Sequence, residues 1–155
     1  MGDYEFREGL LDHPQVIALL EQHLREMHSA SPIESVHALD LDELRGEQLS
    51  FWTLWKKDEL LACGALKSLG DKHAEIKSMR TSENFLRQGI AGQLLTRLLA
   101  QARKSGLQWV SLETGSQDYF EPARQLYLKY GFSFCPPFAN YEEDPNSVFM
   151  SLQLV

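Results

Sequence analysis

Cysteine is scarce: the 155 residues hold two, Cys63 and Cys135, with no metal-ligand spacing between them. No metal is expected. Cys63 lies in an apolar stretch and reads as a small core residue, and a catalytic thiol would need a base partner that its neighbours do not supply. Basic residues are outnumbered, with 15 Lys and Arg against 22 Asp and Glu and a net charge of -7. That balance disfavours nonspecific nucleic-acid binding and tolerates a cationic substrate. No apolar run approaches membrane-spanning length. Residues 1–5 are polar and acidic rather than a signal peptide. Gly2 begins a myristoylation pattern that Phe6 breaks. Repeats, low-complexity tracts and dividing linkers are missing too. One cytoplasmic domain spanning residues 1–155, with no membrane and no nucleic-acid partner, is the expectation.

What is present is a dense alternation of elements. Residues 4–9 read as a strand. Asp12, with Pro14 and Gln15, reads as the capped start of a helix lined by Val16, Ile17, Leu19, Leu20, Leu24 and Met27. A polar connector follows (His28, Ser29, Ser31, Glu34, Ser35, His37), a solvated loop or a substrate lid. Asp40 and Glu43 then form a second capping box ahead of a short helix. Residues 49–56, 59–69 and 73–81 read as three strands joined by tight turns, an antiparallel meander. A long helix from residue 90, a strand over 107–114, a helix over 120–130, a short strand over 132–135 and an alternating strand over 148–154 complete the order. The last alternation offers an edge for pairing with a second copy.

The densest signal is Asn84-Phe85-Leu86-Arg87-Gln88-Gly89-Ile90-Ala91-Gly92-Gln93-Leu94-Leu95. Two glycines and an alanine crowd the start of a helix whose stripe is Ile90, Ala91, Leu94, Leu95, Leu98, Leu99 and Ala102. Small residues admit a ligand close to the backbone. The unpaired amides and positive dipole end of a helix start suit an anion such as a phosphate. The alternative is a helix with small residues for packing. No Gly-Lys-Ser/Thr follows, so this is not a Walker loop, and the spacing is not the dinucleotide fingerprint.

A second run, Ala123-Arg124-Gln125-Leu126-Tyr127-Leu128-Lys129-Tyr130-Gly131-Phe132, lies one helix and one strand downstream. The two together resemble the GNAT superfamily of acyl-CoA-dependent N-acetyltransferases. Its pyrophosphate loop, Arg/Gln-x-x-Gly-x-Gly/Ala, matches Leu86 to Ala91 except that Leu86 stands at the first position, with Arg87 adjacent. The second run is similar to the family's Ala-x-x-Leu/Phe-Tyr-x-x-x-Gly-Phe signature. The resemblance implies an α/β fold. A mixed, mostly antiparallel sheet of about six to seven strands would be flanked by about four helices, with two central strands splayed apart.

It also implies acetyl transfer from acetyl-CoA, as co-substrate, to an amine. Arg87, Gln88, Gly89, Ile90, Ala91 and Gly92 would hold the pyrophosphate, and the backbone of Met79, Arg80 and Thr81 the pantetheine arm. The Met79 amide would polarise the thioester carbonyl. An amine near pKa ~10.4 must lose a proton, so a base or an ordered water chain is needed. Glu75, between Ala74 and Ile76, is the leading candidate or else a solvent-facing strand residue, and Glu113 on the facing strand is its rival, as the base or as a binder of a cationic substrate. Tyr127 is the candidate acid for the departing thiolate, or a packing residue beside Phe120 and Ala123. Gly115 fits a bulge or break that opens the facing strand. Trp52, Trp55, Tyr119, Phe138 and Tyr141 are acceptor-pocket or core residues. Glu142, Glu143 and Asp144 are a solvated acidic loop or an attractor for an amine. The acceptor is expected to be a small molecule, with two alternatives. One is a protein lysine or N-terminus, and the other is a module that binds CoA without catalysis.

Overall fold

A computed structural model describes residues 4–32, 41–46 and 48–155. The strands are β1 (Tyr4–Glu8), β2 (Leu49–Lys56), β3 (Glu59–Gly70), β4 (His73–Thr81), β5 (Trp109–Gly115), β6 (Ser133–Phe134) and β7 (Ser147–Gln153). The described α-helices are α1 (Pro14–Ala30), α2 (Leu41–Leu44), α3 (Ile90–Lys104) and α4 (Glu121–Lys129). The strands form one seven-stranded sheet in the order β1-β2-β3-β4-β5-β7-β6. Among the described residues, only the β4–β5 pair is parallel. This is the expected mixed, mostly antiparallel sheet with helices on both faces.

Strand alternation sorts the apolar side chains onto the two faces. Leu54, Ile76, Val110, Leu112 and Met150 meet Leu94, Leu95 and Leu98 of α3 and Tyr127 of α4. Phe51, Trp55, Leu60, Cys63 and Ala65 meet Val16, Leu19 and Leu20 of α1 and Leu44 of α2. Trp52 and Trp55 are therefore core residues, one on each face. The Trp52 ring stacks on Phe6 at 4.6 Å, and the Trp55 indole donates to Thr53 Oγ1 at 2.7 Å.

Several local expectations change. His13, not Asp12, caps α1: its Nδ1 accepts the Gln15 amide at 3.1 Å. Asp12 instead accepts from Arg45 at 2.6 Å. Gln15 does not complete a capping box. Its side chain clamps the β2–β3 turn, donating to Asp58 O at 2.8 Å and accepting from Leu60 N at 3.0 Å. Asp40, Glu34, Ser35 and His37 lie outside the described residues, although the short helix before Arg45 is present. β7 is not an edge, because β6 pairs outside it through Ser133↔Ser151 and Phe134↔Met150.

Two irregularities shape the middle of the sheet. Parallel pairing of β4 with β5 runs from His73↔Trp109 to Ile76↔Leu112 and stops there. β4 continues to Thr81 and β5 to Gly115, so the two strands part company beyond Ile76 and Leu112. The second irregularity is a bulge on β4. Its register with β3 jumps from Ala65↔Lys77 to Cys63↔Arg80, and Ser78 between them takes a left-handed φ of 53°. The bulge therefore sits on β4, not at Gly115, which pairs in register with Ser147. Gly115 is small for another reason: a Cβ there would overlap the Phe120 ring.

Candidate active site

The bulge decides which way three side chains point. Without it, Lys77 and Met79 would share a face. The extra residue flips the alternation. Lys77, beside Ala65, stays on the α1 face, whereas Met79 packs into the α3–α4 core. Arg80 returns to the α1 face, where its Nη2 meets Glu26 Oε1 at 2.7 Å and its Nη1 donates to Tyr119 Oη at 3.1 Å. Tyr119 in turn donates to Glu26 at 2.6 Å. This ties α1 to the end of β4 and to the 116–120 loop. The Arg80 guanidinium is thus held within the protein, which leaves only its backbone for a ligand arm.

On the α3–α4 side of the parting strands, Tyr127 Oη points at Met79 Sδ, 3.9 Å away. Burial and then the Glu113 carboxylate push the phenol up to about 12, so it is a proton donor throughout the physiological range. Glu113 lies on β5 just past the last β4–β5 pair. Burial pushes its carboxyl up to about 7. The Ser147 hydroxyl and the Lys77 ammonium oppose that rise, and the Glu75 and Asp144 carboxylates reinforce it. A carboxyl titrating near neutrality, partly exposed and beside a gap in the sheet, has the properties of a general base.

Glu75 is brought to the same region but in a different condition. It is 3% exposed. Its Oε2 accepts from Tyr141 Oη at 2.5 Å and from Lys77 Nζ at 3.3 Å, and Lys77 also donates to Tyr141 Oη at 2.8 Å. Burial and the two neighbouring carboxylates raise the Tyr141 phenol above its ordinary value, keeping it a donor. Phe138, Tyr141 and Phe149 pack ring to ring at 5.2 to 5.9 Å over this triad. Lys77 is a participant that residue-by-residue reading missed. The signal was there, because Glu75-x-Lys77 on a strand puts both on one face. The bond to Tyr141 bridges 66 residues and had no local signature. Glu142 and Glu143 are exposed, and Asp144 is half-buried.

The 86–89 segment is exposed, and Arg87 and Gly89 both adopt left-handed φ, 63° and 78°. No side chain caps α3, and its first backbone bond is Gln93 N to Gly89 O at 3.1 Å. The amides of Ile90, Ala91 and Gly92 precede that bond and have no acceptor within the helix. A Cβ at Gly89 would meet only open space, so its glycine answers to φ. Gly92 differs: a Cβ there would stand 2.5 Å from Tyr130 Oη. Its smallness lets α3 pack against the end of α4. Cys63 is buried on β3, its thiol meeting Ser78 O of β4 at 3.5 Å and pushed up to about 12, chiefly by burial. It is an inert core thiol.

Residues 16–132 match the Acetyltransferase (GNAT) family. The chain belongs to the GNAT acetyltransferases. It is 54% identical over 140 residues to the uncharacterized N-acetyltransferase YsnE of Bacillus subtilis, covering 90% of this chain and 93% of that one. To the uncharacterized N-acetyltransferase YedL of Escherichia coli it is 49% identical over 144 residues, covering 93% and 91%. A Bacillus subtilis acetyltransferase solved in complex with CoA superposes with a TM-score of 0.73 at 21% identity, over 98% of this chain and 99% of the other. This GNAT protein is accordingly an acetyl-CoA-dependent acyltransferase. The exposed left-handed turn, the orphan amides of α3 and the gap beyond Ile76 and Leu112 fit a diphosphate and an extended arm. Among the described residues, no group of three or more His, Cys, Asp and Glu is arranged to hold a metal ion. No described helix is long and apolar enough to cross a membrane.

Proposed function

We propose that this enzyme acetylates a primary amine of a small molecule by direct attack in a ternary complex, with Glu113 as general base and Tyr127 as general acid. One observation carries the reading. Where β4 and β5 stop pairing, the sheet has a gap with Glu113 on one strand beside it and the Tyr127 hydroxyl aimed at Met79 on the other. The amides of residues 90–92 with Arg87 and Gln88 would hold the diphosphate of acetyl-CoA, and the backbone of Met79, Arg80 and Thr81 its arm. Acetyl-CoA supplies the thioester. Glu113 takes a proton from the acceptor's ammonium, the neutral amine forms the C–N bond at the thioester carbonyl as the C–S bond breaks, and the Tyr127 phenol protonates the departing thiolate. Glu75 is held by Lys77 and Tyr141 and acts in support, not as the base. The same Tyr141 bond pins the 136–146 connector against the α1 face of the sheet, which favours a compact acceptor over an extended peptide.

The test is a panel of small amines, lysine peptides and free N-termini, followed by CoA release. Turnover is expected with a small amine. Glu113→Gln and Tyr127→Phe should each lower kcat by roughly 10²-fold or more, while CoA still raises Tm. Turnover confined to peptides would overturn the acceptor assignment. Unchanged kcat in both variants would overturn the roles.

A further inference from the structure

Lys77, Glu75 and Tyr141 form a buried charged cluster that the chemistry above does not use directly. Lys77 is 9% exposed and Glu75 3%. A pair this buried is kept only where its geometry is good and its remaining polar groups are satisfied. Here Tyr141 supplies the third member, donating to Glu75 and accepting from Lys77. The pairing register gives the cluster a target. Glu75 stands opposite Ser111, and one further pair along each strand would set Lys77 opposite Glu113. The strands part just before that pair forms, so a cation and a carboxylate are left facing each other across the gap.

We propose that the Lys77–Glu75–Tyr141 cluster is a positioning element for Glu113: Lys77 favours its charged form, Glu75 opposes it, and Tyr141 fixes where the two stand. The groups facing Glu113 come from every element around it. Among the described residues they are Glu75 and Lys77 of β4, Tyr141 and Asp144 of the connector, Ser147 of β7 and Tyr127 of α4. Only Lys77 carries a positive charge among them. Lys77 also lies over the Tyr141 ring at 5.5 Å, a cation–π contact.

The inference rests on the reading of Glu113 as base, but its test does not need turnover. The full-length protein, carrying carboxyl-labelled glutamate, is titrated by NMR without ligand, and the Glu113 signal is assigned by its loss in Glu113→Gln. Lys77→Met should raise the Glu113 midpoint and Glu75→Gln should lower it, each by at least about half a pH unit. Lys77→Arg keeps the charge and should restore the wild-type midpoint. A purely structural role would move both variants the same way or neither, and either result overturns the proposal. Should Glu75→Gln fail to fold, the Lys77→Met and Lys77→Arg pair decides alone. If the midpoints shift in opposite directions while Glu113→Gln retains full turnover, the cluster stands and the base assignment falls.

Discussion

At the scale of single residues, the telling contrast is between two glutamates in neighbouring strands. Glu75 is the more deeply buried, yet its charge is met by an ammonium and a phenol. Glu113 is less buried and has no such partner on its own strand, so desolvation raises it to about 7. A base with that value loses activity as pH falls through it. The kcat/KM profile is therefore expected to have an acid limb near pH 7, checked by initial rates from pH 5 to 9. The limb should vanish in Glu113→Gln and persist, displaced to lower pH, in Glu75→Gln. The sequence supported both carboxylates as candidates because alternation and position are local facts. It favoured Glu75 on the flanking Ala74 and Ile76, whose side chains turn to the other face. What separates the two is who sits opposite, and Tyr141 arrives from 66 residues away.

At the scale of elements, most of the architecture was readable because turn residues, caps and alternation are written locally. The meander of β2, β3 and β4, the stripe of α3 and the Gly131 stop after α4 all follow from such signals. The bulge at Ser78 was not readable, since a serine in a β-like run gives no warning of a left-handed φ. Nor was the reason for Gly92, which lies in its contact with Tyr130 beyond the next strand and helix. That contact makes a sharp prediction. Gly92→Ala should lower stability, because the new methyl meets the Tyr130 hydroxyl at 2.5 Å. In a Tyr130→Phe background the nearest atom becomes the ring carbon at 3.4 Å, an ordinary contact. There Ala should be neutral or stabilising by up to ~1 kcal/mol, its advantage over Gly within a helix. Denaturant unfolding of the four proteins measures the coupling. Additive effects would show that Gly92 is small for a different reason.

At the scale of the whole molecule, two buried groups pull the pH dependence of folding in opposite directions. His23 on α1 is pushed down from 6.5 to about 4, by burial first and by Arg80 second. Its depressed value makes a contribution that is present above its unfolded value and lost as pH falls from about 6.5 to about 4. Glu113 is raised from 4.5 to about 7, so its neutral form suits the fold. Its contribution is complete below its unfolded value and lost as pH rises from about 4.5 to about 7. Between roughly pH 4.5 and 6.5 the unfolded chain binds one proton more at His23 and one fewer at Glu113, and the two slopes offset each other. His73, lowered mainly by burial, adds a smaller rise with pH. Wild-type stability should therefore be nearly level across that window. Glu113→Gln should uncover a stability that rises with pH, and His23→Gln one that falls. Each difference from wild type should be on the order of 3 kcal/mol from one end of its window to the other. Urea unfolding of the three proteins at half-unit pH steps reads these slopes directly. Parallel curves for all three would mean that neither group titrates differently in the folded chain, and would remove the basis for a neutral-range base at position 113.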